Sequence, residues 1–373
     1  MLYALFVEPG PLANVLPGAN VFRYVTFRTA WGLLTALAVT YAIFPWFIEW
    51  MKNKRIDQII RSDGPESHLL NKVGTPTMGG VCILAGVALS TLLWSRLDQP
   101  APWLVLFVML GYGLIGFVDD WKKVMLRDPA GLAGRLKILG QVGFGGIALA
   151  AGYAANVFPG TLSFPFFKGL VLDFEHLWTG APGAFGWLYV AFALFLLTAM
   201  SNGVNLTDGL DGLAIGPTMT YAAAYGTIAY LVGNVVFAEY LDVTAVAGAG
   251  ELAVLSFALV GAGLGFLWYN AYPAQIFMGD VGSLAIGGTL GMLAVLTKQE
   301  ILAAIIGGIF TLESLSVVLQ VLSFKTTGKR LFAMAPIHHH YEKLGWSEPK
   351  IIVRFWIISI VLALIGLSTL KLR

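Results

Sequence analysis

Residues 101–123 read APWLVLFVMLGYGLIGFVDDWKK. The first part, 101–118, carries no charged side chain and has the length of a helix that crosses a hydrocarbon core. Four of the next five residues are charged: Asp119, Asp120, Lys122 and Lys123. The stretch therefore reads as a membrane-crossing helix that ends abruptly in a charged mouth.

The rest of the chain repeats the first half of that pattern. Of 373 residues, 57% are hydrophobic and only 12% charged, half the charged fraction of an ordinary soluble domain. Ten apolar runs are long enough to be spans, near 29–48, 75–94, 101–118, 136–158, 184–200, 213–233, 251–269, 281–297, 301–324 and 351–370. The fifth and eighth give the weakest signal. An all-α integral membrane protein with ten transmembrane helices is expected, its 373 residues forming one polytopic domain. One cysteine, Cys82, excludes a disulfide framework and any four-cysteine metal site.

Basic residues orient the bundle. The loops after the first, third and ninth runs hold 16 of the 23 Lys and Arg residues. By the positive-inside rule those loops are cytoplasmic, and an even number of spans leaves both termini on the outer, periplasmic face. Residues 1–21 lack a basic start followed by an apolar core, so the first span is read as a retained anchor and not a cleaved signal. Residues 159–183, PGTLSFPFFKGLVLDFEHLWTGAPG, alternate apolar and turn residues and predict a small outer β-hairpin. The net charge of +2 says little about partners, and none of nucleic-acid type is expected.

Carboxylates gather where the runs meet the cytoplasm: Asp119 and Asp120 in GFVDDWKK, Asp208 and Asp211 in SNGVNLTDGLDGLA, Asp280 in AQIFMGDVGS. A single one at a span end can simply snorkel to water. Three mouths on one face argue for a shared purpose. Adjacent Asp119 and Asp120 repel unless a cation lies beside them; Lys123, four and three residues on, is one such cation. A hard divalent ion such as Mg²⁺ is another, held by one or two carboxylates together with substrate phosphates.

In SNGVNLTDGLDGLA, Asn202, Asn205, Asp208 and Asp211 recur every third position, so Asn205, Asp208 and Asp211 are able to share a broad helical face. The interspersed glycines favour instead a loosened polar turn, and a third reading has Thr207 or Asp208 capping the sixth helix. Asp280 has the same alternatives: N-cap of the eighth helix with Ser283 three residues on, or part of a metal and phosphate site. Asn270 and Phe277 just upstream offer an amide and a ring face suited to a flat heterocycle. Lys72 precedes the turn in NKVGTPTMGG, as a topology determinant or as a phosphate partner. Glu313 lies alone in the ninth run, where an unpaired charge costs several kcal/mol; Ser314, Ser316 and Gln320 are the local partners on offer, and a bend marking a lipid groove is the alternative. His338, His339 and His340 stand side by side in APIHHHYEKLGW. Neighbours on a helix diverge by about 100°, so all three cannot converge on one ion.

KVGTPTMGG, GFVDDWKK, NLTDGLDGLA, FMGDVGS and MAPIHHHYEKLGW occur in an order and spacing that resembles the polyprenyl-phosphate N-acetylhexosamine-1-phosphate transferase superfamily. The Thr-Pro-Thr-Met-Gly-Gly turn and the histidine string resemble its muramoyl-pentapeptide branch. The resemblance runs from about residue 29 to 370. It implies a Mg²⁺-dependent transfer of phospho-N-acetylmuramoyl-pentapeptide from its UDP carrier to undecaprenyl phosphate at the inner membrane, releasing UMP and forming lipid I for peptidoglycan. It implies a homodimer with a cytoplasmic cleft and a bent ninth helix. It assigns Asp280 as the Mg²⁺ ligand, with Asp119 and Asp120 as further ligands beside the reacting phosphates, and His338 as a fourth catalytic group. Lys72, Thr75, Lys123, Lys137, Asn205, Asp208, Asp211, Asn270, Phe277, His339 and His340 would bind substrate. Two rival readings remain: a sister transferase that uses UDP-N-acetylglucosamine, and a cation-coupled transporter. A transporter would carry its carboxylates near the midplane, not at one surface.

Overall fold

The computed structural model describes residues 1–7, 10–11, 18–54, 74–128, 130–167, 170–177 and 185–371. Lys72 lies outside these residues. In chain order the elements are α1 (Leu2–Phe6), a 3-10 turn (Ala19–Arg23), α2 (Val25–Asn53), α3 (Gly80–Trp94), α4 (Pro100–Met125), α5 (Gly134–Ala154), β1 (Thr161–Ser163), β2 (Val171–Asp173), α6 (Gly186–Thr207) and α7 (Ile215–Val232). They continue with α8 (Val235–Leu241), α9 (Glu251–Asn270), α10 (Gly279–Leu296), α11 (Glu300–Ile306), α12 (Gly308–Thr327), α13 (Ile337–Lys343) and α14 (Glu348–Thr369).

Eight of these helices are long and apolar enough to cross a membrane: α2, α4, α5, α6, α9, α10, α12 and α14. The protein is a multi-pass membrane protein. Each of the ten runs contains helix among the described residues, but they are not ten equal spans. The second run forms a helix of 15 residues. The sixth run ends at Gly233, where the chain turns through 103° from α7 into α8, and it makes a ninth span only if the bent pair is counted as one. At the bend the Asn234 side chain accepts from Val236 N at 3.0 Å and from Phe237 N, so a new helix starts in a new direction. The ninth run divides at Gly307 into α11 and α12.

The glycine-rich eighth run, weak by hydropathy, is the centre of the molecule. Every residue of α10 from Val281 to Leu296 is buried, and α10 packs against α3, α4, α6, α7 and α11. Small side chains bring neighbouring backbones close, and van der Waals packing then replaces bulk hydrophobicity as the source of cohesion. At Gly116 of α4, an added Cβ would fall 2.1 Å from the Asp280 carbonyl oxygen, so only glycine permits this approach. A second hub, α9, packs against α2, α3, α4 and α7. Along the outside, Leu312, Val318 and Leu322 of α12 and Ile357, Val361 and Leu364 of α14 are exposed, the expected face toward lipid.

At the end of the bundle away from the aspartates, Arg28 of α2 donates to Glu251 of α9 (Nη2 to Oε1, 2.7 Å) and to the Trp94 carbonyl closing α3 (3.0 Å). Both charged side chains are buried. At the same end Lys298 donates to Glu300 at 2.6 Å and to the Thr161 carbonyl of β1. The region predicted as a hairpin contains a two-stranded antiparallel sheet, Thr161 opposite Asp173 and Ser163 opposite Val171.

Candidate active site

The last turns of α4 and the first turn of α10 meet, and their meeting creates a carboxylate cluster. Adjacent residues on α4 diverge by about 100°, so Asp119 and Asp120 take different partners. Asp120 turns toward the start of α10 and accepts from Val281 N at 3.1 Å. Asp119, fully buried, accepts from Leu132 N at 2.7 Å and Lys137 Nζ at 3.0 Å, and also pairs with Lys123. Gly279, at φ +75°, makes the sharp entry into α10. Asp280 follows it in the first turn, where the helix dipole favours a negative charge. Its Oδ2 lies 2.6 Å from Lys137 Nζ and 3.4 Å from Lys123 Nζ, and its Oδ1 accepts from Asn205 Nδ2 at 3.1 Å.

One oxygen each from Asp119, Asp120 and Asp280 lie within 4.8 Å of one another. Three hard oxygen donors at that spacing fit Mg²⁺ better than a transition metal, which would draw on nitrogen or sulfur. Counted as ionised, the three carboxylates outweigh the two ammonium groups by one negative charge. A divalent cation would reverse that sign and make the mouth attractive to phosphates.

Several sequence alternatives are now decided. Asp280 does not cap α10: the N-cap position is Met278, no side chain caps it, and Ser283 Oγ donates to the Gly279 carbonyl instead. Neither Thr207 nor Asp208 caps the sixth helix, because α6 runs on to Thr207 and α7 starts only at Ile215. Asn205, Asp208 and Asp211 do not share one helical face. Asn205 is helical and points to Asp280, whereas Asp208 ends α6. Asp211 sits in the following turn and accepts from Ala274 N at 2.9 Å. Among the predicted uridine contacts, Asn270 is a clamp: its Oδ1 accepts from Gly212 N at 2.9 Å and its Nδ2 donates to the Ile276 carbonyl at 2.8 Å. Those bonds join the Asp211 turn to the segment carrying Phe277. Phe277 in turn donates its N–H to the Pro76 carbonyl at 2.9 Å and brings the Thr75 turn alongside.

The three histidines lie on α13 and diverge as helical neighbours must. His338 is buried with Nδ1 3.0 Å from Glu313 Oε1; His339 pairs with Glu342; His340 Nδ1 accepts from Ala333 N at 3.1 Å. They form no common metal site. Glu313 therefore has a partner that local spacing did not suggest: of the residues on offer nearby, Ser316 Oγ bonds the Glu313 backbone carbonyl and not its carboxylate. The lone carboxylate was the signal that some partner existed. Its identity depends on the placement of α13. Sequence reading also missed Glu348, which accepts from Asp211 N at 3.1 Å, and Gln141, a buried amide bonded to Ser201 and Asn202.

The family description "glycosyl transferase family 4" matches residues 102–298, more than half of the chain. A curated phospho-N-acetylmuramoyl-pentapeptide-transferase from Pelobacter propionicus is 54% identical over all 373 residues, covering the whole of both chains. The chain belongs to glycosyl transferase family 4. The matched span includes Asp119, Asp120, Asp208, Asp211 and Asp280, the two lysines and Asn205, so the entire carboxylate cluster lies inside it. The histidine helix and Glu313 lie beyond it, within the part shared with the full-length relative.

Proposed function

We propose that this protein transfers phospho-N-acetylmuramoyl-pentapeptide from UDP-N-acetylmuramoyl-pentapeptide to undecaprenyl phosphate, forming lipid I and UMP for peptidoglycan synthesis. The observation that carries the reading is the carboxylate cluster with its two lysines at one end of a membrane bundle, in a chain 54% identical end to end to a transferase of that name. A phosphate attacking a diphosphate brings anions together. Most of the catalytic task is then charge neutralisation and in-line positioning.

Asp119, Asp120 and Asp280 would hold Mg²⁺, which when bound supplies positive charge to the bridging phosphates. Lys123 and Lys137, placed between Asp119 and Asp280, are set to contact the same phosphates. Lys72 and Thr75 would approach them from the turn before α3. The acceptor phosphate oxygen attacks the phosphorus that carries the sugar; a new P–O–P link forms, the old one breaks, and UMP leaves with the electron pair. No general base is required, because a phosphate monoester with a second pKa of about 6 is largely dianionic at neutral pH. We read the transfer as a single displacement, because the Asp119 oxygens are already engaged by Leu132 N, Lys123 and Lys137, which leaves them poor nucleophiles. Asp208, Asp211, Asn205 and Phe277 would line the nucleoside side, with Asn270 holding that wall together, and the exposed flank of α12 would admit the lipid.

The site would open to the cytoplasm of a bacterial inner membrane, since the loops at that end carry most of the Lys and Arg; ten spans with both termini outside, the small sheet on the outer face, and a homodimer complete the reading. The test is UMP release by purified protein given Mg²⁺, UDP-N-acetylmuramoyl-pentapeptide and undecaprenyl phosphate. Release that needs all three is expected. No release, or faster release from UDP-N-acetylglucosamine, refutes the proposal.

A further inference from the structure

The transfer chemistry leaves Glu313 unused, although its carboxylate is fully buried in α12, where a charge is retained only with a partner. The Glu313 contact with His338 joins two elements that are not otherwise fixed to one another by side-chain hydrogen bonds among the described residues. The helix carrying His338 has seven residues, too few to be stable alone, so its orientation depends on such contacts. On the other edge of the ring lies Gly209: a Cβ built there would be 2.3 Å from His338 Nε2. The imidazole is thus wedged between a carboxylate in α12 and the backbone of the turn that carries Asp208 and Asp211.

With Glu313 ionised its carboxylate only accepts hydrogen bonds, and the 3.0 Å contact then has His338 Nδ1–H donating to it. The ring plane is then set, as carboxylates set the rings of metal-bound histidines. With 1% of its surface exposed, His338 is packed against the Gly209 turn, and holding that turn is the role its burial favours. This differs from the role the sequence resemblance implied for it.

We propose that Glu313 is a positioning residue for nucleotide-donor binding: it fixes the His338 ring, and the ring holds the Gly209 turn so that Asp208 and Asp211 face the donor. The proposal rests on the transferase reading above. It makes α12, with its lipid-exposed flank, and the donor-side turn one mechanical unit.

The experiment compares Glu313→Gln, Glu313→Leu, His338→Ala and the double variant Glu313→Leu/His338→Ala by steady-state UMP release. Glutamine keeps an oxygen for Nδ1–H to bond; leucine does not. Expected results are a donor KM raised tenfold or more by Glu313→Leu with kcat and the lipid KM within threefold of wild type, and near-wild-type constants for Glu313→Gln. The double variant should be no worse than His338→Ala. Additive losses in the double variant, equal effects on both substrates, or glutamine as harmful as leucine would overturn the proposal. A readout independent of catalysis is the ¹⁵N spectrum of the histidine-labelled wild type, with His338 assigned from Glu313→Gln: a protonated Nδ1 is expected, and a bare Nδ1 refutes the wedge. If wild type releases no UMP, the transferase reading fails while the spectrum still judges the pair; if wild type is active and the donor KM does not move, only the positioning role fails.

Discussion

Replacing Lys137 with methionine removes one charge while keeping a chain of similar length. In the native protein its Nζ lies 2.6 Å from Asp280 Oδ2 and 3.0 Å from Asp119 Oδ1. A phosphoryl oxygen seated beside the same ammonium, at about 4 Å, would gain roughly 4 kcal/mol at an effective dielectric constant of about 20. The lysine side chain is 19% exposed, so solvent screening lowers this to about 2–4 kcal/mol. At about 1.4 kcal/mol per decade, kcat/KM should fall roughly 30- to 1000-fold. The fold should survive, because Asp119 retains Lys123 and Leu132 N as partners. The assay is UMP release against donor concentration, with thermal unfolding measured on the same preparations and Lys137→Arg as the charge-retaining control. A Lys137→Met enzyme within threefold of wild type would show that the ammonium only neutralises its neighbours and that the phosphates bind elsewhere.

Chelation by EDTA should abolish UMP release and added Mg²⁺ restore it; in Asp280→Asn, which keeps size and loses charge, half-maximal activity should require at least tenfold more Mg²⁺, and an unchanged Mg²⁺ titration would place the ion away from Asp280. Arg28→Met leaves Glu251 buried without its cation and should cost about 3 kcal/mol, lowering Tm, while activity per folded molecule is retained because the pair lies at the opposite end of the bundle; partial recovery of Tm in Arg28→Met/Glu251→Gln checks the cause, and a single variant as stable as wild type contradicts it.

Legibility varied with the range of the interaction. The charged mouth after residue 118 was readable because hydropathy and charge are local, and α4 runs through it to Met125 with both aspartates on its final turns. The Lys123 partnership with Asp119 was readable as a four-residue helical spacing. The 103° turn at Asn234 was not, since it lies just past the end of the sixth run and a hydropathy profile carries no direction. The centrality of α10 was hidden for the opposite reason: glycines lower hydropathy, yet they are what allows this helix to be buried by its neighbours.

The sequence by itself determined the solvent class, roughly where helices lie, the end of the bundle at which the carboxylates gather, and the residue types available there. Only the tertiary structure decided which of them meet. Asp120 reaches Val281 N across 161 residues, Lys137 reaches Asp280 across 143, and Glu313 reaches His338 across 25. The physical reason is that helical periodicity sets directions within about two turns of a residue, whereas the partner of a buried charge is chosen by which helices pack together. A carboxylate that must be compensated announces its need locally, and packing alone supplies the answer.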